Sequence, residues 1–210
     1  ASISPWEDTR PKILFIGDSI TEGIGARGLP SIPVNSGGDL SWPTLVSDMR
    51  GLSPVLNGFG GTRLTGPSNG SGGVPEASTH CMYYMAGRPI DTASENIEFI
   101  IINLGTNDFG AGVSNSTFQT AYAALLRQLM RAHPSVQKIW AMRTFAGYYA
   151  TETAAAVAAV ADPRIEYMDT SSWAGITFTD GIHPNISGHA KIATYCAEQM
   201  GNMQVQTRAN

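Results

Sequence analysis

The chain has 210 residues, 42% of them apolar and 14% charged, with a formal net charge of -4. This length suits one domain with a full core, residues 1–210, and the apolar share excludes a disordered chain. Mild acidity without a basic block argues against a nucleic-acid partner, and no apolar run approaches the roughly 18 residues of a membrane span.

Taken in chain order, short apolar runs alternate with helical patterns. Lys12–Gly17 (KILFIG) predicts a buried strand, and SWPTLVSDMR, with Trp42, Leu45, Val46 and Met49 at helical spacing, predicts a helix. PVLNGF follows as a short second strand. Residues 62–94 show no clear period and contain TGPSNGSGG, the composition of a functional loop beside the strand ends. Ile97–Leu104 (IEFIIINL) is the most apolar run and predicts a central parallel strand. Ser116–Ala132 predicts a helix, with Ser116 and Gln119 at capping-box spacing and Phe118, Tyr122, Leu125 and Leu129 on one face. Ile139–Thr144 predicts a fourth strand, TETAAAVAAVAD a helix, Ile165–Asp169 a fifth strand and Ser187–Met200 a closing helix. Strands alternating with helices imply a parallel sheet covered on both faces.

The chemistry-bearing residues follow the strands. Ser19, in FIGDSITEG, reads as a helix N-cap or as a nucleophile at the sheet edge. GIGARG (Gly23–Gly28) matches GxGxxG, but it starts well past the strand and runs into LPSIP where a helix should begin, so it does not read as a dinucleotide site. A nucleophilic serine needs a base, and there are four histidines. His133 ends the long helix, where a positive charge is ordinary; His189 sits in the last helix as a surface or packing residue; His80 has no evident partner. His183 lies in TDGIHPN three residues after Asp180, which reads as a polar turn or as an acid folded back onto its base. Asn107, in LGTNDFG, caps a turn or points its amide into the site, and NGFGG after the second strand supplies backbone amides.

These blocks resemble those of the SGNH hydrolases, the GDSL-type serine esterase superfamily. GDSIT (Gly17–Thr21), NGFGG (Asn57–Gly61), GTND (Gly105–Asp108) and DGIHP (Asp180–Pro184) match its blocks in family order across nearly the whole chain. The resemblance implies a three-layer α/β/α sandwich with a parallel five-stranded sheet of flavodoxin-like type. It implies Ser19 as nucleophile, His183 as base and Asp180 as its orienting acid. It implies oxyanion donors at the Ser19 amide, the Asn107 side chain and a glycine of the second block. Aligning the last glycine selects Gly61, with Gly60 as the alternative. Asp18 is read as support for the loop and stays outside the catalytic set.

The expected activity is hydrolysis of short acyl esters, foremost acetyl esters on carbohydrates such as acetylated xylan, through an acyl-enzyme and without metal or organic cofactor. The rivals are a lipase, lysophospholipase or thioesterase, and a catalytically inactive sugar-binding module. Tyr83, Tyr84, Phe109, Tyr148, Tyr149 and Trp173 are aromatic candidates for sugar contact, or else core. The start Ala1-Ser2-Ile3, the low charge and sequons at Asn69, Asn115 and Asn185 suggest a secreted glycoprotein. Secretion would permit a Cys81–Cys196 disulfide; otherwise Cys196 is a small core residue.

Overall fold

The computed structural model describes residues 8–30, 33–65 and 96–201. His80, Cys81, Tyr83, Tyr84 and the Asn69 sequon lie outside them. Five parallel strands, β1 (Lys12–Gly17), β2 (Ser53–Gly58), β3 (Ile97–Asn103), β4 (Lys138–Met142) and β5 (Ile165–Met168), form one sheet in the order β2-β1-β3-β4-β5. That is the flavodoxin-like order, with the chain reversing its direction of travel across the sheet between β1 and β3. The three-layer α/β/α sandwich expected of the sequence is therefore what the chain adopts. Loops at the carboxyl ends of β1 and β3 diverge there and leave a crevice.

The central strands β1 and β3 are buried on both faces, which explains their unbroken apolar runs. On one face Leu14, Ile16, Ile100 and Ile102 pack against α4 (Asn115–Ala132) through Phe118, Tyr122, Leu125 and Leu129. α5 (Ala150–Val160) joins this layer through Ala156. On the other face Ile13, Phe15, Phe99 and Ile101 meet Trp42 and Val46 of α2 (Trp42–Arg50). Ile192, Ala193 and Cys196 of α6 (Ile186–Gln199) complete that layer. Two short helices, α1 (Ser19–Glu22) and α3 (Thr106–Gly110), start directly after β1 and β3. Among the described residues no helix is long and apolar enough to cross a membrane.

Several local expectations change. The cap of α4 is Ser114, whose hydroxyl accepts the Thr117 amide at 3.2 Å, so the helix begins one residue before Ser116. Both residues suit a cap, and only the backbone path selects between them. His133 is buried, and burial lowers its pKa, which works against the end-of-helix charge expected there. His189 is fully buried: its Nδ1 accepts the Trp42 amide at 3.2 Å, and burial, helped by the His183 charge, lowers its pKa to about 4. It is thus a neutral core residue that satisfies a first-turn amide of α2. Among the described residues Cys196 is a free, buried thiol with its sulfur 3.9 Å from Met168 Sδ, as the core alternative has it, while Cys81, the other half of the disulfide alternative, lies outside them.

Candidate active site

Ser19 is held by the strand-to-helix junction. A Cβ on Gly17 would fall 2.0 Å from Thr21 Oγ1, so glycine is what lets α1 fold back over the end of β1. Asp18, and not Ser19, caps α1: its Oδ1 accepts the Ile20 amide at 3.0 Å. Ser19 is the first residue of the helix, and its hydroxyl is left for other work.

His183 reaches that hydroxyl from the loop before α6. An isolated antiparallel bridge joins Phe178 to Pro184, and the Thr179 amide donates to the His183 carbonyl at 2.8 Å. Two further bonds dock the loop beside α1: Thr179 Oγ1 donates to the Gly25 carbonyl at 2.9 Å, and the Ile186 amide to the Ala26 carbonyl at 3.1 Å. His183 Nε2 then lies 2.9 Å from Ser19 Oγ, and its Nδ1 2.7 Å from Asp180 Oδ2. Asp180 Oδ1 accepts the Ile182 and His183 amides at 3.0 and 2.8 Å, which fixes the rotation of the carboxylate. Residues far apart in sequence thus form one continuous hydrogen-bonded chain, with a geometry suited to moving a proton from the serine hydroxyl to the imidazole.

The second and third blocks close the other side. A Cβ on Gly60 would lie 3.8 Å from Ser19 Cβ. Gly61 follows in a left-handed turn with φ 76°. Asn107 Nδ2 donates to the Thr62 carbonyl at 3.0 Å and to Asp18 Oδ2 at 3.3 Å. Its amide is thereby held between the first and second blocks. The fully buried Asp108 accepts the Leu64 and Thr65 amides at 3.0 and 2.9 Å and the Thr65 hydroxyl at 2.8 Å. It pins the segment after β2 to α3.

Two carboxylates near Ser19, Asp18 and Glu22, stand outside the catalytic set expected from the sequence. Burial raises the Glu22 pKa, against its bond from the Gly60 amide and the nearby His183 charge. Burial also raises Asp18 to about 7, partly offset by the Ile20 amide and the His183 charge, with Asp108 adding repulsion. Both residues stand in the FIGDSITEG stretch, but only burial distinguishes a structural from an electrostatic carboxylate.

The Asp18 shift has a stability consequence. An acid whose pKa is higher folded than unfolded favours the folded state at low pH, and that advantage is lost as pH climbs to the folded pKa. Asp18→Asn, which keeps an oxygen for the Ile20 amide, should therefore gain stability relative to wild type as pH rises. The gain should grow between the ordinary value of 3.8 and about 7 and stay level above. Calorimetric Tm of both proteins from pH 4 to 8 checks this, and a constant difference would contradict it.

A cavity of about 300 Å³ is lined by Ile20 and Ile182, the chain neighbours of Ser19 and His183, and by Phe109, Phe145, Tyr148 and Phe178 among others. Phe109, itself exposed, stacks on Tyr148 with ring centroids 3.8 Å apart. Of the remaining candidates, the two among the described residues are core. Trp173 is buried and stacks on Tyr195, while Tyr149 is buried against Phe118.

Comparison with known proteins agrees with this architecture. Cellulase/esterase CelE of Acetivibrio thermocellus is 25% identical over 207 residues, matching 91% of this chain. The chain spans only 25% of that relative's length. A family two carbohydrate esterase from Clostridium thermocellum, solved with cellohexaose, superposes with a TM-score of 0.75 at 24% identity, over 96% of this chain and 66% of that one. A family two carbohydrate esterase from Cellvibrio japonicus gives a TM-score of 0.78 at 21% identity, over 90% and 60% of the two chains. At these identities the superpositions speak for the fold. The profile of the GDSL-like Lipase/Acylhydrolase family matches residues 15–191, a span holding all four sequence blocks and the whole Ser19–His183–Asp180 chain, and the protein belongs to that family.

Proposed function

We propose that the protein is a serine esterase that removes short acyl groups, foremost acetyl, from carbohydrate esters such as acetylated xylan. The observation that carries this reading is the continuous chain Ser19 Oγ–His183 Nε2 at 2.9 Å and His183 Nδ1–Asp180 Oδ2 at 2.7 Å. Ser19 Oγ attacks the ester carbonyl carbon while its proton passes to His183 Nε2. Asp180 holds the resulting imidazolium. The tetrahedral intermediate collapses, the C–O bond to the alcohol breaks, and the alcohol leaves with the proton from Nε2. Water then attacks the acyl-Ser19 ester, gives its proton to the same nitrogen, and the acid is released as Ser19 regains its proton. The oxyanion is received by the Ser19 amide, the second-block glycine and the Asn107 side chain, whose amide must give up its longer bond to Asp18 Oδ2 at 3.3 Å to do so. For the glycine, the approach of a Gly60 Cβ to within 3.8 Å of Ser19 Cβ supports Gly60, the alternative to the expected Gly61. Every step uses groups of the chain and water, so no cofactor is called for.

The carbohydrate part of the reading is supported by the esterase relatives and by the Phe109–Tyr148 pair that lines the cavity, a surface suited to the C–H face of a sugar ring. A polysaccharide substrate places the enzyme outside the cell. One observation favours a second reading: the apolar lining of the 300 Å³ cavity could hold an acyl chain longer than acetyl. The test is kcat/KM across acetyl, butyryl and octanoyl esters, followed by acetate release from acetylated xylan. A maximum at acetyl with acetate released is the expected result. A maximum at octanoyl with no acetate from any sugar would replace it by a lipase.

A further inference from the structure

Glu22 is the last residue of α1, one helical turn after Ser19. The Gly60 amide donates to Glu22 Oε2 at 2.7 Å. A Cβ on Gly60 would lie 3.5 Å from that same oxygen and 3.8 Å from Ser19 Cβ. The carboxylate therefore stands beside the nucleophile, on an amide the acyl-transfer reading assigns to the oxyanion. One N–H serves one strong acceptor, and an ionised carboxylate repels a neighbouring oxyanion. The ester oxygen can use Gly60 only after Glu22 has left it.

A half-buried carboxylate that gives up a strong donor needs another in its place. A substrate whose alcohol carries free hydroxyls beside the ester supplies one, and an aryl or alkyl ester does not. On the serine-esterase reading, we propose that Glu22 is a specificity-determining residue: it occupies the oxyanion amide at rest and is drawn off it by a hydroxyl of a polyol ester, so that such esters are preferred. Glu22 thereby acts twice, as an internal competitor for the carbonyl oxygen and as an acceptor for the hydroxyl that displaces it.

The test compares phenyl acetate with a mono-acetylated xylopyranoside on wild type, Glu22→Ala and Glu22→Gln, with Tm measured for each. In Glu22→Ala, kcat/KM for phenyl acetate should rise while that for the sugar ester falls. The ratio of the two should shift against the sugar by about tenfold or more, the worth of one hydrogen bond to a charged group. Glu22→Gln, which keeps a weaker neutral acceptor, should shift it less, and it carries the test if the alanine variant does not fold. A parallel loss on both substrates would make Glu22 a support of the glycine turn and overturn the proposal, as would an unchanged ratio. Ser19→Ala is the control for the underlying reading. Activity persisting in it on both esters would overturn Ser19 as the nucleophile and this inference together, whereas an inactive control with an unchanged ratio overturns only the role of Glu22.

Discussion

Ser19→Ala and His183→Ala are each expected to lower kcat on an acetyl ester by about ten-thousandfold or more, the loss seen when a serine triad loses its nucleophile or base. Alanine at Ser19 removes the only hydroxyl within reach of His183 Nε2 among the hydrogen bonds of the described residues, and α1 remains capped by Asp18. The fold should survive both changes, because Ser19 is not the cap and His183 is only partly buried. Unchanged Tm beside lost turnover is the signature. A fluorophosphonate probe should label wild type at Ser19 and leave Ser19→Ala unlabelled. A folded wild-type protein that takes no label would point instead to an inactive sugar-binding module.

Asp180→Asn is expected to cost about as much, on the order of ten-thousandfold in kcat, for a tautomeric reason. The Oδ1 of Asp180 is committed to the Ile182 and His183 amides, so it must remain an oxygen. The amide nitrogen of asparagine would then face His183 Nδ1 at the 2.7 Å position of Oδ2. A donor there makes Nδ1 an acceptor and moves the ring proton to Nε2, where it points at Ser19 Oγ and the imidazole can no longer accept. Steady-state kinetics with circular dichroism checks this. A loss below tenfold would mean that another group orients the imidazole.

Most of the architecture was legible because it is written in local chemistry. The apolar runs of β1 and β3 have the length and β-branched content of buried strands, and the face Phe118, Tyr122, Leu125 and Leu129 is buried as its spacing predicts. Local signals failed where two neighbours had equal capacity. Ser114 and Ser116 are both cap formers, and so are Asp18 and Ser19; the backbone path, set by packing, chose one of each. The histidines show the same limit. His133 and His189 carry no mark of burial in their flanking residues, and their lowered pKa values follow from neighbours distant in sequence.

By itself the sequence determined the α/β class and the order of strands and helices, because strand periodicity and turn signals depend on adjacent residues, and it carried the four blocks whose family resemblance singled out Ser19, Asn107, Asp180 and His183. Only the tertiary structure decided that His183 meets Ser19 across 164 positions, since that contact depends on the loop at Thr179 docking on the Gly25 carbonyl. It also placed Gly60 beside Ser19, put the Glu22 carboxylate on the Gly60 amide, and buried Asp18 deeply enough to raise its pKa to about 7. Those outcomes depend on which loops share the crevice at the sheet edge, and on how much water they exclude from it.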